Sequence, residues 1–251
     1  MKEREIIEVS DKHRVLRTVL FVALIIIAAA AFATAIISLG HKEPGWQIIT
    51  PAADSDVPFY ASSLGLAYYM EGSSSEIREN TATLTSLYSK SLKRFYMLFD
   101  ASHEYPGLVN LATINKNLGR EIAVPDEVFN VLTDFYDKTL RGEANLFCGT
   151  VYDAETLLEN VDEYDREYEA ERIAAFREVC TDPGNFTFEV VDSEKKTIRF
   201  DVSQHFLEVV KKYESEAPYL SLNELYFYYM TTLVGQELSD NGYPDAYFYA
   251  K

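Results

Sequence analysis

The sequence predicts an α+β domain held behind a single N-terminal transmembrane helix. Three observations predict it. Thr18 to Leu39 is a run of 22 residues without one charged side chain. As a helix rising about 1.5 Å per residue, it covers roughly 33 Å, the thickness of a bilayer core. Beyond it, apolar residues recur at spacings of two in some stretches and of three to four in others. Those stretches do not alternate as a βαβ repeat, so a mixed sheet-and-helix domain is expected and a doubly wound one is not.

The expected organisation is a cytoplasmic tail over residues 1–17, the anchor over 18–39, a linker over 40–58 and an extracytoplasmic domain over 59–251. Orientation follows from Lys12, Arg14 and Arg17 ahead of the run, against Lys42 beside Glu43 after it. A cleaved signal peptide is the competing reading, because Ala33-Thr34-Ala35 has a small-x-small form. The length of the run favours a retained anchor, and so a cell-membrane protein. The chain carries 40 acidic and 23 basic residues, a net charge of −17. That balance excludes a nucleic-acid partner, which needs a basic surface.

The linker is read from Pro44, Pro51 and Pro58 with Gly45, and Trp46 could rest at the membrane interface or on the domain. Phe59 to Met70 alternates as a first strand. Ser73 and Glu76 have the form of a capping box, opening a helix whose stripe runs Ile77, Leu84, Tyr88, Leu92, Phe95 and Phe99. After a loop at Pro106-Gly107, Pro125 starts a second helix that closes near Gly142. A third, over about Asp153 to Cys180, crowds nine acidic residues and only Arg166 between 153 and 171. Acids so spread read as a solvated face in preference to a cation site. Phe186–Val190 and Ile198–Val202 flank a turn as a hairpin. A short helix around Phe206–Lys212 and a longer one at Ser221–Asp240 follow. Asn241-Gly242 ends the latter, and Ala246–Tyr249 returns as a strand.

Residue chemistry alone declares no reaction. There is no glycine-rich phosphate loop, nucleophile elbow, His-Glu-x-x-His or paired-cysteine motif. Cys148 and Cys180 could form a disulfide in an oxidising compartment or remain two free thiols. Asn185-Phe186-Thr187 matches the glycosylation pattern. The aromatics from Tyr219 to Tyr249 could stack on a flat ligand, although helical and strand spacing already explains them.

Four segments, in order, resemble one family, the FAD:protein FMN transferases. Phe59-Tyr60-Ala61-Ser62-Ser63 is similar to its Phe-x-Met-Gly-Thr entry strand. Phe99 to Asn115 is similar to a segment in which Tyr105 and Asn115 fall on the family's Tyr and Asn. Ile122–Leu132 and Leu140–Asp153 resemble the next stretch, with Asn145 near its Asp. Ser221–Gly242 matches the family's Asp-Leu-Gly-Gly-Ile-Ala-Lys-Gly helix without gaps.

The last match also departs most. Asn223 and Glu224 replace the two glycines, Phe227 the lysine and Thr232 a later aspartate. Side chains at the glycine positions would block close approach of a flavin nucleotide. The family's later metal-binding Asp and Thr would lie beyond Lys251. The resemblance thus implies the N-terminal two-thirds of the flavin transferase fold. It also implies a degenerate member acting as a flavin-nucleotide or protein binding module. Its FAD would lie against Ser63, Tyr105, Asn115, Asn223, Glu224 and Phe227, with no catalytic or metal-binding residue. The alternative it leaves open is an active transferase completed by a missing C-terminal part that supplies the Mg²⁺ ligands.

Overall fold

Apolar residues at helical and strand spacing organise a computed structural model that describes residues 44–57, 60, 64–147, 149, 151, 166–213, 218–222 and 225–250. In chain order the described elements are β1 (Gly45–Ile49), β2 (Leu64–Met70), α1 (Ser74–Phe99), α2 (Leu111–Lys116), β3 (Glu121–Ala123) and α3 (Asp126–Leu140). They continue with α4 (Arg166–Thr181), a 3₁₀ turn (Pro183–Asn185), β4 (Phe186–Asp192), β5 (Thr197–Val202), α5 (Gln204–Lys212), α6 (Tyr226–Asp240) and β6 (Tyr247–Ala250). The strands form two separate three-stranded sheets, in the orders β1-β2-β6 and β3-β5-β4. The chain divides into two units, Met1–Gly45 with Tyr69–Asn80, and Trp46–Tyr68 with Thr81–Lys251.

In the larger unit, β2 pairs antiparallel with β6, Leu64 opposite Ala250 and Ala67 opposite Tyr247. Leu64 and Leu66 fill the inner face, and Tyr88 of α1 donates its hydroxyl to the Leu64 carbonyl at 2.8 Å. Leu84, Tyr88 and Leu92 recur along one stripe of α1 and are fully buried there, as are Leu132 and Phe135 in α3 and Val234 and Leu238 in α6. Arg94 of α1 pairs with Glu127 of α3 and lies 3.3 Å from Glu237 of α6. Tyr229 of α6 reaches Asp134 of α3 at 2.7 Å. In the second sheet β4 and β5 make the expected hairpin, and β3 joins β5 through Glu121 opposite Arg199. In the smaller unit, Ser73 and Glu76 close the capping box: Ser73 N donates to Glu76 Oε2 at 2.7 Å, and Glu76 N faces Ser73 Oγ at 3.4 Å.

Three expectations need correction. First, among the described residues no helix is long and apolar enough to cross a membrane. The longest, α1, has 26 residues but carries Arg78, Glu79, Lys90, Lys93 and Arg94, so only one stripe of it is apolar. Residues 1–17 and 18–39 lie outside the described residues. The single-pass topology, the membrane contact through 18–39 and the extracytoplasmic location therefore have no support in the structure. Second, in place of a mixed sheet-and-helix domain behind an anchor, the described residues form two sheets and six α-helices with no anchor helix among them. Third, part of the expected spacer is strand β1. Its residues alternate, Trp46 and Ile48 outward and Gln47 and Ile49 inward. Proline density masked that period-two signal.

Candidate functional site

Two regions compete for function. The first is the loop after α1, which holds Tyr105 and is bonded by Asn115 of α2. Asp100 follows the last turn of α1, and its own carbonyl receives Ala112 N at 3.0 Å. Its carboxylate is nearly buried, with a side chain 6% exposed. Oδ1 accepts Ser102 N at 2.9 Å and His103 N at 3.0 Å, while Oδ2 accepts the Tyr105 hydroxyl at 2.8 Å and faces His103 Nδ1 at 3.0 Å. A carboxylate can only accept, so in this contact His103 Nδ1 is the donor. Burial, helped by the bond to Asp100, pushes the Tyr105 phenol well above its ordinary range.

Asn110 is fully buried behind this loop. It donates to the Met97 and His103 carbonyls and caps α2 through Thr113 N. Asn115 donates to the Ala101 carbonyl at 3.3 Å and the Leu220 carbonyl at 3.0 Å, and accepts Leu220 N at 2.9 Å. It thereby ties the segment ahead of α6 to the loop after α1. An imidazole oriented by a carboxylate could serve as a base. Among the described residues, however, no hydroxyl or thiol nucleophile is hydrogen-bonded to it. The cluster reads as a turn whose polar groups satisfy one another.

Of the expected site residues, the structure describes Tyr105, Asn115 and Phe227. The Tyr105 hydroxyl and the Asn115 amide are taken by protein partners. Phe227 lies on an exposed face of α6 beside Tyr228, 38% and 52% exposed. Asn145 donates to the Cys180 carbonyl at 3.1 Å. Ser63, Asn223 and Glu224 lie outside the described residues. No group of three or more metal-binding side chains occurs among the described residues. Flavin binding and transferase activity have no support among the described residues. An open pocket of about 610 Å³ lies in the smaller unit, lined by Glu71, Gly72, Glu76, Glu79 and Asn80. Glu76 there is already engaged by the Ser73 backbone and hydroxyl.

Other sequence signals resolve into structure. Asn185 is buried, donates to the Val179 carbonyl at 3.0 Å and accepts the Ser203 hydroxyl at 2.6 Å, so the folded acceptor is out of reach of a glycan. Cys180 is buried with its Sγ 3.3 Å from the Phe147 carbonyl, and Cys148 lies outside the described residues. Of the acidic helix face, Glu171 meets Lys212 and the Tyr213 hydroxyl, and Glu169 lies 2.8 Å from Arg172.

The second region is the outer face of sheet β1-β2-β6. Trp46 and Ile48 of β1 and Tyr247 of β6 are 61%, 60% and 61% exposed. The Trp46 and Tyr247 rings meet edge to face, 6.4 Å between centroids. Between them β2 presents Gly65 and Ala67, opposite Tyr249 and Tyr247. A Cβ built on Gly65 would overlap the Tyr249 ring, so that ring lies flat across the glycine. The sequence signal for this face was present in Gly45–Ile49 and Tyr247–Ala250, but strand spacing alone cannot say which face meets water. No family model and no curated protein matches the chain.

Proposed function

We propose that the chain is a binding module whose working surface is the aromatic outer face of sheet β1-β2-β6. One observation carries this reading: three large apolar side chains, each about three-fifths exposed, gather on one sheet face around two small residues. Single exposed apolar residues are ordinary on proteins. A contiguous aromatic group marks a surface that another molecule covers. Tryptophan and tyrosine bring large contact area at low conformational cost, which is why they anchor interfaces. The satisfied polar turn around Asp100 favours binding over chemistry.

Trp46 is the only tryptophan, so its emission reports on this face alone. The test is selection of ligands for the full chain from a random-peptide display library, followed by titration of Trp46 fluorescence. Selected ligands should shift the emission. Tyr247→Ala should weaken them about tenfold or more, as loss of a central aromatic anchor does. Ligands that bind without touching the emission and ignore Tyr247→Ala would remove this surface from consideration.

A further inference from the structure

The two sheets differ in how their edges are protected, and the difference names a class of ligand for the face just described. An unpaired strand edge offers a row of N–H and C=O groups to any extended chain. Proteins block such edges with short strands, charges, prolines or bulges. Sheet β3-β5-β4 uses these devices. Edge strand β3 has three residues and carries exposed Glu121. Edge strand β4 carries Glu189 and a register shift between Val190 and Asp192. Arg199 on central β5 ties both edges, pairing with Glu121 and lying 2.9 Å from Glu189.

At β6 the first sheet has only shortness, a strand of four residues. The strand reads Tyr-Phe-Tyr-Ala, with no charge, no proline and an unbroken register against β2. β6 stands last in the sheet order, so its alternate backbone groups point away from β2 and no described strand takes them. Exposed Asp245 and Asp240 lie on the approach to it. The chain as a whole carries −17. A second copy would bring the same negative charge to the same edge, and like charge opposes that pairing.

We propose that β6 accepts an extended, basic segment as a fourth strand, with alternate apolar residues of that segment lying on the Tyr247 side of the sheet. The inference rests on the reading of this face as a binding surface. Main-chain hydrogen bonds supply affinity in strand addition, and alternate side chains supply selectivity. Lysine or arginine at the remaining positions answers the acidic surroundings.

The probe is a synthetic peptide of alternating lysine and valine, titrated into the full chain at moderate salt. Its controls are a peptide of the same composition with all lysines before all valines, and two versions N-methylated on one or the other alternate set of residues. The alternating peptide should shift Trp46 emission and slow amide exchange in Tyr247–Ala250 about tenfold or more. The block peptide should do neither, and N-methylation of one alternate set should abolish the effect while the other set is tolerated. Equal binding by alternating and block peptides, or indifference to both N-methylations, overturns strand addition. So does sedimentation showing the β6 edge already occupied by a second copy. If Tyr247→Ala still weakens library-selected ligands in those cases, the binding face stands and only the strand mode fails. If Tyr247→Ala is silent as well, both fail.

Discussion

Asp100 and Tyr88 show how single polar groups are placed in this molecule, each buried and each answered by a partner. Tyr88 is fully buried, and its hydroxyl donates to the Leu64 carbonyl. Burial raises its phenol above the ordinary value of 10.0, because the phenolate would lose its water. The unfolded chain therefore releases this proton first as the pH climbs past 10. The stability contributed by holding Tyr88 neutral is whole below that pH and shrinks above it, by about 1.4 kcal/mol per pH unit. Tyr88→Phe should cost about 1 kcal/mol near neutral pH, for the lost hydrogen bond. The variant's urea midpoint should then fall less steeply than wild type from about pH 10 upward. Parallel falls in the two proteins would mean that Tyr88 is not the group being titrated. At this scale the sequence was only partly readable. FDASHEYPG displays an Asp followed by Ser and His, the pattern of a side chain folding back on its own backbone. Asn115 was expected against a flavin nucleotide; the structure instead bonds it to the Leu220 backbone groups, more than a hundred residues away in sequence.

Among elements, those with strong periodicity were legible. The Ser73–Glu76 box and the stripe from Ile77 to Phe99 match α1, and the alternation around Asp192–Lys195 matches the β4–β5 hairpin. Both depend on neighbours a few residues apart, which a sequence displays directly. Strand β1 was hidden because prolines flank it, and partition into two sheets was hidden because pairing is non-local. Gly65 is the element-scale test of the first sheet. Gly65→Ala would put a methyl group where the Tyr249 ring lies and push β6 off its register. The expected cost is about 1–3 kcal/mol, the usual range for overpacking. Hydrogen exchange should show faster loss of Phe248 and Tyr249 protection than in α3. Unchanged protection along β6 would show that Tyr249 moves aside at no cost.

For the whole molecule, the charge of −17 acts through space more than through contacts. Several of the described ion pairs, such as Lys116–Glu104 and Arg141–Glu143, are half-exposed and worth little each. Screening should therefore relieve more repulsion than it removes attraction. Thermal unfolding followed from about 10 mM to 300 mM NaCl should show the midpoint rising by a few degrees. A flat or falling midpoint would mean that the ion pairs outweigh the net charge. The pairing of β2 with β6 carries a different consequence, in time. Leu64 meets Ala250, so the first sheet joins nearly the two ends of the described chain. At about 5–20 residues per second, a ribosome delivers β6 roughly ten seconds to half a minute after β2. Throughout that interval β2 has no C-terminal partner, whereas the local β4–β5 hairpin can close as soon as it emerges. This sheet is then completed only after every other described element has been synthesised, and until then the flank of β2 that β6 will fill stays open.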